Sequence, residues 1–202
     1  MLDLPHYPST KKNREFIHSI IKLYLPERGN IIETASGTGE HIVYFAEKFS
    51  SLNWQPTDRS DEMFWAIKKR SYPLKNISDP KIIDLCSPYD INTEQNFDAI
   101  LNINMIHISR WKACIGLFSL AKKTIKDDGF VYLYGPYKKN NSHISLSNEE
   151  FDKQLRLKNP SWGVRSIEEV MRVSKKFGFI LYKTHEMPSN NFSHIFYKSK
   201  RS

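Results

Sequence analysis

The sequence predicts a doubly wound α/β fold: a mostly parallel, seven-stranded sheet of Rossmann-like type, followed by an inserted cap. Three observations carry that reading. Apolar strand-length runs alternate with helical stripes through most of the chain, the pattern of a parallel sheet with helices on both faces. The run Ile31-Ile32-Glu33 passes through a small-residue loop, Thr34-Ala35-Ser36-Gly37-Thr38-Gly39, into a helical pattern. The run 97–102, Phe-Asp-Ala-Ile-Leu-Asn, is nearly continuous in apolar character, as a strand covered on both faces must be.

Taken in order, residues 11–25 set Phe16, Ile17, Ile20, Ile21 and Tyr24 on one helical stripe, ended by Pro26 and Gly29. Residues 30–34 form the first strand and 39–49 the first helix of the alternation. A second strand spans 54–58, and Ser60 is placed to cap a helix through Met63, Phe64 and Ile67. A third strand covers 81–85 and a fourth 97–102. The helix 111–125 lines one side with Trp111, Cys114, Ile115, Phe118, Ala121 and Ile125, and Asp127-Asp128-Gly129 turns into a fifth strand over 130–134. Residues 135–165 then break the alternation and read as a cap. It contains a capping box, Ser147-x-x-Glu150, a short helix to about Lys158, and the loop Asn159-Pro160-Ser161-Trp162-Gly163. A helix over 166–177, a Gly178 stop, and two runs, 179–183 and 194–198, complete the sheet as an antiparallel hairpin.

At 202 residues the chain is expected to form one domain, 1–202, with an N-terminal helical region at 1–29 and the cap at 135–165. Its two cysteines, Cys86 and Cys114, suit reduced core thiols, and neither they nor the histidines show zinc spacing, so no metal is expected. The N-terminal stretch lacks a leader's basic and apolar regions, and no run reaches membrane-spanning length, which points to a cytoplasmic protein that avoids membranes. The net charge of +8 invites a nucleic-acid surface, but the lysines lie scattered in pairs at solvated positions, which argues against one. Oligomeric state is not legible.

The glycine loop indicates the ligand class. Gly37 and Gly39 allow left-handed backbone and close approach, and the next helix offers free N–H groups. A dinucleotide needs a third glycine for helix packing and a helix start free of anions. Ile42 stands at that position in one register and Glu40 in the other. S-adenosylmethionine fits better: it has no phosphate, its sulfonium is positive, and its amino-acid end can use loop amides and acidic side chains. Asp58, 19 positions after Gly39, can accept the ribose hydroxyls or cap the next helix. Asp84 can accept the adenine amine, with the Leu85 N–H on the ring, or serve a turn. Asn102 and Asn104 follow the fourth strand, where donor and acceptor would meet. His107 could orient or deprotonate an acceptor, or could contact backbone at a helix start. Tyr7, Tyr134, Tyr137 and Trp162 could wall a pocket or belong to the core.

From Glu33 to Tyr134 the order of motifs resembles class I S-adenosylmethionine-dependent methyltransferases. The phrases Lys12-Asn13-Arg14-Glu15, Glu33 to His41, Trp54-Gln55-Pro56-Thr57-Asp58, Asn104-Met105-Ile106-His107-Ile108, Tyr134-Gly135-Pro136-Tyr137, Ser147-Asn148, Trp162-Gly163-Val164-Arg165 and Met187-Pro188-Ser189-Asn190-Asn191 are similar to the methyltransferase-like protein 26 family over nearly the whole chain. Ala35 departs from the general class I pattern, in which glycine is usual. The resemblance implies cofactor contacts at Glu33, Ala35, Gly37, Gly39, Asp58, Asp84 and Asn104, to which Ser36, Leu85 and Asn102 are added. It also implies acceptor-side roles for His107, Tyr137, Arg165 and Asn191; Arg14 is a candidate on either side. The expected activity is methyl transfer from S-adenosylmethionine to an O, N or S nucleophile of a small molecule. The competing expectation is a non-catalytic module that binds the same cofactor and acts through a protein or RNA partner.

Overall fold

The computed structural model describes residues 3–87 and 96–199; Met1 and Leu2, where the stretch tested for a leader begins, lie outside them, as do the last three residues. The sheet has seven strands: β1 (Gly29–Thr34), β2 (Leu52–Asp58), β3 (Lys81–Ile82), β4 (Phe97–Ile103), β5 (Ile125–Gly135), β8 (Phe179–Met187) and β9 (Asn191–Lys198). Their order is β3-β2-β1-β4-β5-β9-β8. The first five run parallel, and β9 enters antiparallel between β5 and the edge strand β8. The expected doubly wound sheet is therefore present, and the order reverses between β1 and β4.

Period-two alternation sorts the side chains into two layers. Ile31, Ala99, Leu101, Phe130, Tyr132 and Ile195 face the helices α1 (Pro8–Ile21) and α2 (Glu40–Lys48) in one buried cluster. Their chain neighbours Ile32, Ile100, Val131, Leu133 and Phe196 pack in the other, against α4 (Trp111–Thr124) and α6 (Ile167–Lys176). This places Cys114 in the core, where burial pushes its thiol pKa up to about 12.

Several local expectations are corrected. α1 begins three residues earlier than its apolar stripe suggests, because Pro8 fits a first helical position, where no N–H is needed. Ser60 caps nothing: α3 (Phe64–Ser71) starts at Phe64, and Met63 at its N-cap makes no side-chain hydrogen bond. The third strand is two residues long rather than five, because Asp84 diverts the chain into a turn, its Oδ1 accepting from the Cys86 N–H at 2.8 Å. The turn at 126–129 bulges out of a strand that already begins at Ile125: Phe97 pairs with Ile125, and Ala99 with Phe130.

After Gly135, the last residue of β5, the chain lies outside the seven-stranded sheet until β8. The base of the segment 135–165 is a short parallel ladder, β6 (Tyr137–Lys138) with β7 (Arg165–Ser166), and its body is α5 (Leu146–Lys158). The capping serine is Ser145, not Ser147: the Ser145 hydroxyl accepts from the Asn148 N–H at 3.2 Å. Asp152 knots the cap together. Its buried carboxylate accepts from Lys138 (3.0 Å), Arg156 (3.1 Å) and the Val164 N–H (2.8 Å), and His143 Nε2 lies 3.2 Å from it. Among the described residues no helix is long and apolar enough to cross a membrane, and no group of acidic, histidine or cysteine side chains is set to hold a metal.

Candidate functional site

The site is built on the carboxyl ends of β1, β2 and β4, beside the point where strand order reverses, which is where open α/β sheets bind ligands. The β1–α2 loop adopts left-handed backbone at Ala35 (φ 57), Gly37 (φ 52) and Gly39 (φ 80). Ala35 sustains this conformation although it carries a Cβ, at a cost of about 1–2 kcal/mol. The two glycines serve different ends. A Cβ on Gly39 would stand 3.1 Å from the Ile67 backbone, so Gly39 lets α2 begin against α3, whereas a Cβ on Gly37 would meet only the Tyr7 ring, at 3.8 Å.

The loop is braced from below. The Ser36 N–H donates to the Thr57 carbonyl at 2.8 Å, the Thr57 hydroxyl donates to the Glu33 carbonyl at 2.9 Å, and the Ser36 hydroxyl accepts from the Thr57 N–H at 3.2 Å. Asp58, at the end of β2, accepts from the Gly37 N–H at 2.9 Å through one oxygen and from the Arg59 N–H at 2.7 Å through the other. It does not cap α3, which begins six residues later.

Glu33 is the most unusual group here. Its side chain is buried at the end of β1, and Oε2 has no hydrogen-bond partner among the described residues. Burial pushes its pKa up to about 8; a hydrogen bond from Ser36 opposes this, and the nearby charge of Asp58 adds to it. A buried carboxyl with one oxygen left unpartnered beside an open glycine loop suits a cationic group of a ligand.

Other expected cofactor residues fall nearby, with partners that qualify their roles. Asn102 is buried and donates to the Thr34 hydroxyl at 2.8 Å, tying β4 to β1. Asn104 follows β4 in left-handed conformation, and its N–H donates to the Tyr134 carbonyl at 2.9 Å. Asp84 is exposed in its turn. Leu85 is buried, with its carbonyl pressed against Gly116 of α4. Arg14 projects from α1 with its guanidinium 4.6 Å from the Tyr44 ring, and its buried Nε has no partner among the described residues.

Beside Arg14 lies a pair that sequence reasoning missed. Asn13 Oδ1 is 2.8 Å from His41 Nε2, and burial holds the His41 pKa down to about 4, so the imidazole is neutral. Nothing local in the sequence around Asn13 or His41 shows that α1 and α2 bring them together.

Of the acceptor-side candidates, Tyr137 and Arg165 are partners across the β6–β7 ladder and the Arg165 charge reaches His107, while Asn191 lies at the start of β9. His107 lies buried in a single 3-10 turn, packed against Phe151 and within 3.2 Å of where a Gly135 Cβ would stand. Burial lowers its pKa to about 4, and its carbonyl accepts from the Gly163 N–H of the cap at 2.9 Å. Its ring nitrogens make no hydrogen bond among the described residues. Tyr137 is core, edge-on to His194 at 4.7 Å, and burial drives its hydroxyl pKa far above the ordinary value. Arg165 donates to the Ser109 and Ser161 carbonyls and lies 5.7 Å from the Trp111 ring. Asn191 donates to the Pro188 and Ser189 carbonyls, closing its own hairpin. Thus His107 is joined to the cap, while Tyr137, Arg165 and Asn191 have scaffold partners. A shallow surface groove lined by Trp111, Glu169, Arg172, Val173, Lys175 and Lys176 shares no residue with the glycine loop.

Solved structures share this architecture. An O-methyltransferase family protein from Burkholderia thailandensis is 11% identical with a TM-score of 0.77, over 96% of this chain and 59% of its own. Human N-acetylserotonin methyltransferase, solved in complex with SAM, is 13% identical with a TM-score of 0.75, over 95% and 53%. A putative sarcosine dimethylglycine methyltransferase from Galdieria sulphuraria is 12% identical with a TM-score of 0.74, over 94% and 86%. The chain spans a little over half the length of the first two, and at these identities the likeness is one of fold. Residues 5–198 match the family model described as protein of unknown function (DUF938), and the chain belongs to that family.

Proposed function

We propose that the protein is an S-adenosylmethionine-dependent methyltransferase acting on a small-molecule O, N or S nucleophile. The observation that carries this reading is the buried Glu33 carboxyl near the end of β1, whose Oε2 has no partner among the described residues, beside the open loop at Gly37. Class I methyltransferases among the structural neighbours, and the resemblance of the motif phrases to methyltransferase-like protein 26, support it. A cytoplasmic location is part of the same reading.

The residues present fit the cofactor. Glu33 would take its ammonium, the amides of the 35–39 loop and Arg14 its carboxylate, and Asp58 its ribose hydroxyls. Asp84, the Leu85 N–H and Asn104 would border the base and the methionine chain. When bound, the cofactor supplies an already activated methyl group. The chain then has to bind, exclude water and align, and such alignment contributes about 7–11 kcal/mol to a displacement reaction. His107, held neutral beneath the cap, would orient the acceptor or take its proton. Arg165 and Asn191 would act by fixing the cap loop and the hairpin turn, and Tyr137 by filling the wall beneath them.

Calorimetric titration of an Asp58→Ala variant tests the reading. The lost hydrogen bonds, worth about 1.5–3 kcal/mol, should weaken S-adenosylmethionine binding roughly 10- to 150-fold. An unchanged affinity would remove Asp58 from the site.

A further inference from the structure

The first described residues do not trail away from the molecule; they cross the glycine loop. Arg70 of α3 donates from Nε to the Thr38 carbonyl at 3.1 Å and from Nη2 to the Pro5 carbonyl at 2.5 Å, so one guanidinium holds both the loop and the segment above it. Glu40, the first residue of α2, does the same from the other side. Its Oε2 accepts from the Tyr7 N–H at 2.8 Å and the Thr38 hydroxyl at 3.0 Å, and its Oε1 meets His6 Nδ1 at 2.5 Å. The ring of Tyr7 then lies over Gly37, its Cε2 3.8 Å from where a Cβ would stand, although Tyr7 remains 53% exposed.

An acidic residue in a helix's first turn ordinarily faces water and gains from the helix dipole. Glu40 is instead only 11% exposed at its side chain, and its oxygens are committed to the segment in front of it. Burial alone would raise its pKa, but the hydrogen bonds from Tyr7, His6 and Thr38 outweigh that and hold it below its ordinary value. The segment joins α1 at Tyr7, which is that helix's N-cap, its carbonyl accepting from the Thr10 N–H at 3.0 Å. That helix is anchored separately by buried Ile17 and Ile21 and by the Asn13–His41 pair. Residues 5 and 6 and the Tyr7 ring can therefore lift, with α1 fraying at most at its cap, while the body of the helix stays docked.

We infer that residues 5–7 form a strap closing the outer wall of the cofactor site, latched by Glu40 and Arg70, and that Tyr7 must swing off Gly37 for S-adenosylmethionine to enter and its demethylated product to leave. The inference rests on the cofactor reading above and adds residues that reading does not use. Two further consequences follow. The strap governs exchange rates more than the contacts that hold the bound ligand, and either latch residue can be removed without touching the loop's own bracing from Thr57 and Asp58.

The test compares the unaltered full chain with Glu40→Ala, Glu40→Gln and Arg70→Ala. Amide hydrogen exchange without ligand reads the latch directly: the Tyr7 N–H should be protected in the unaltered protein and lose that protection in Glu40→Ala, with Glu40→Gln between. Release of bound S-adenosylhomocysteine on dilution reads the gate, and should quicken about tenfold in Glu40→Ala and in Arg70→Ala. Exchange of amides within α2 identifies any variant that has lost its fold, and Arg70→Ala, on a different helix, then carries the test. A Tyr7 amide unprotected in the unaltered protein would overturn the latch. Unchanged release rates alongside lost Tyr7 protection would overturn the gate. Failure of the unaltered protein to bind either cofactor form, with Tyr7 protected, would overturn the cofactor reading and the gate with it.

Discussion

Glu33 carries a pH signature that follows from its burial. Its folded pKa of about 8 lies above its ordinary value of 4.5, so folding takes up a proton between those values. The associated stability is fully present below the ordinary carboxylate range and is lost as pH rises through 8, at about 1.4 kcal/mol per pH unit inside the window. Denaturant titrations between pH 5 and pH 8 should show this decline in the ligand-free protein, and Glu33→Gln should flatten it. A slope that survives the substitution would assign it to another group. An arriving ammonium favours the ionised carboxylate, so cofactor binding near neutrality should release a proton, visible as a dependence of binding heat on buffer ionisation enthalpy. Glu33, Gly37 and Gly39 were legible in the sequence because a strand end and the loop after it are contiguous. The contacts of Arg165 were not, because one of its partners is the Ser109 carbonyl, 56 positions away; Asn191 bonds within its own turn.

At the scale of elements, Gly116 shows what periodicity hides. It sits inside α4, where alanine would ordinarily gain about 1 kcal/mol in helix propensity. A Cβ there, however, would stand 1.7 Å from the Leu85 carbonyl oxygen. Gly116→Ala should therefore destabilise the protein by about 1–3 kcal/mol, as overpacked cores do, measured as a lower denaturation midpoint at unchanged slope. A stabilised variant would show that the turn at Asp84–Ser87 yields freely. The same contact accounts for the shortened third strand, since the chain after Ile82 dives onto α4 instead of extending the sheet. Strand periods placed β1, β2, β4 and β5, because each is buried on one or both faces. The helix starts at Ser60 and Ser147 failed for a related reason: a serine in a polar stretch is a cap only where the chain turns helical, which happens at Phe64 and, behind the Ser145 cap, at the exposed Leu146.

For the whole molecule, the strand order, the alternation of side chains between two layers and the loop at the sheet's switch point form one consistent device. The sheet fixes the carboxyl ends of β1, β2 and β4; α2 and α3 meet at Gly39; the cap is fastened by Asp152 and by the Gly163 N–H on the His107 carbonyl. The fold was readable because it is written in repeated periods, and the cap because it interrupts them. The strap over Gly37 was not readable, since it depends on Arg70 and Glu40 reaching a segment more than 30 positions earlier in the chain. The account's central claim is that this site takes S-adenosylmethionine rather than a dinucleotide. Isothermal titration of the unaltered protein with S-adenosylmethionine, S-adenosylhomocysteine and NAD tests it most directly. Saturable one-to-one binding of the two S-adenosyl compounds and no heat with NAD is the predicted result; saturable NAD binding without binding of either S-adenosyl compound would contradict it.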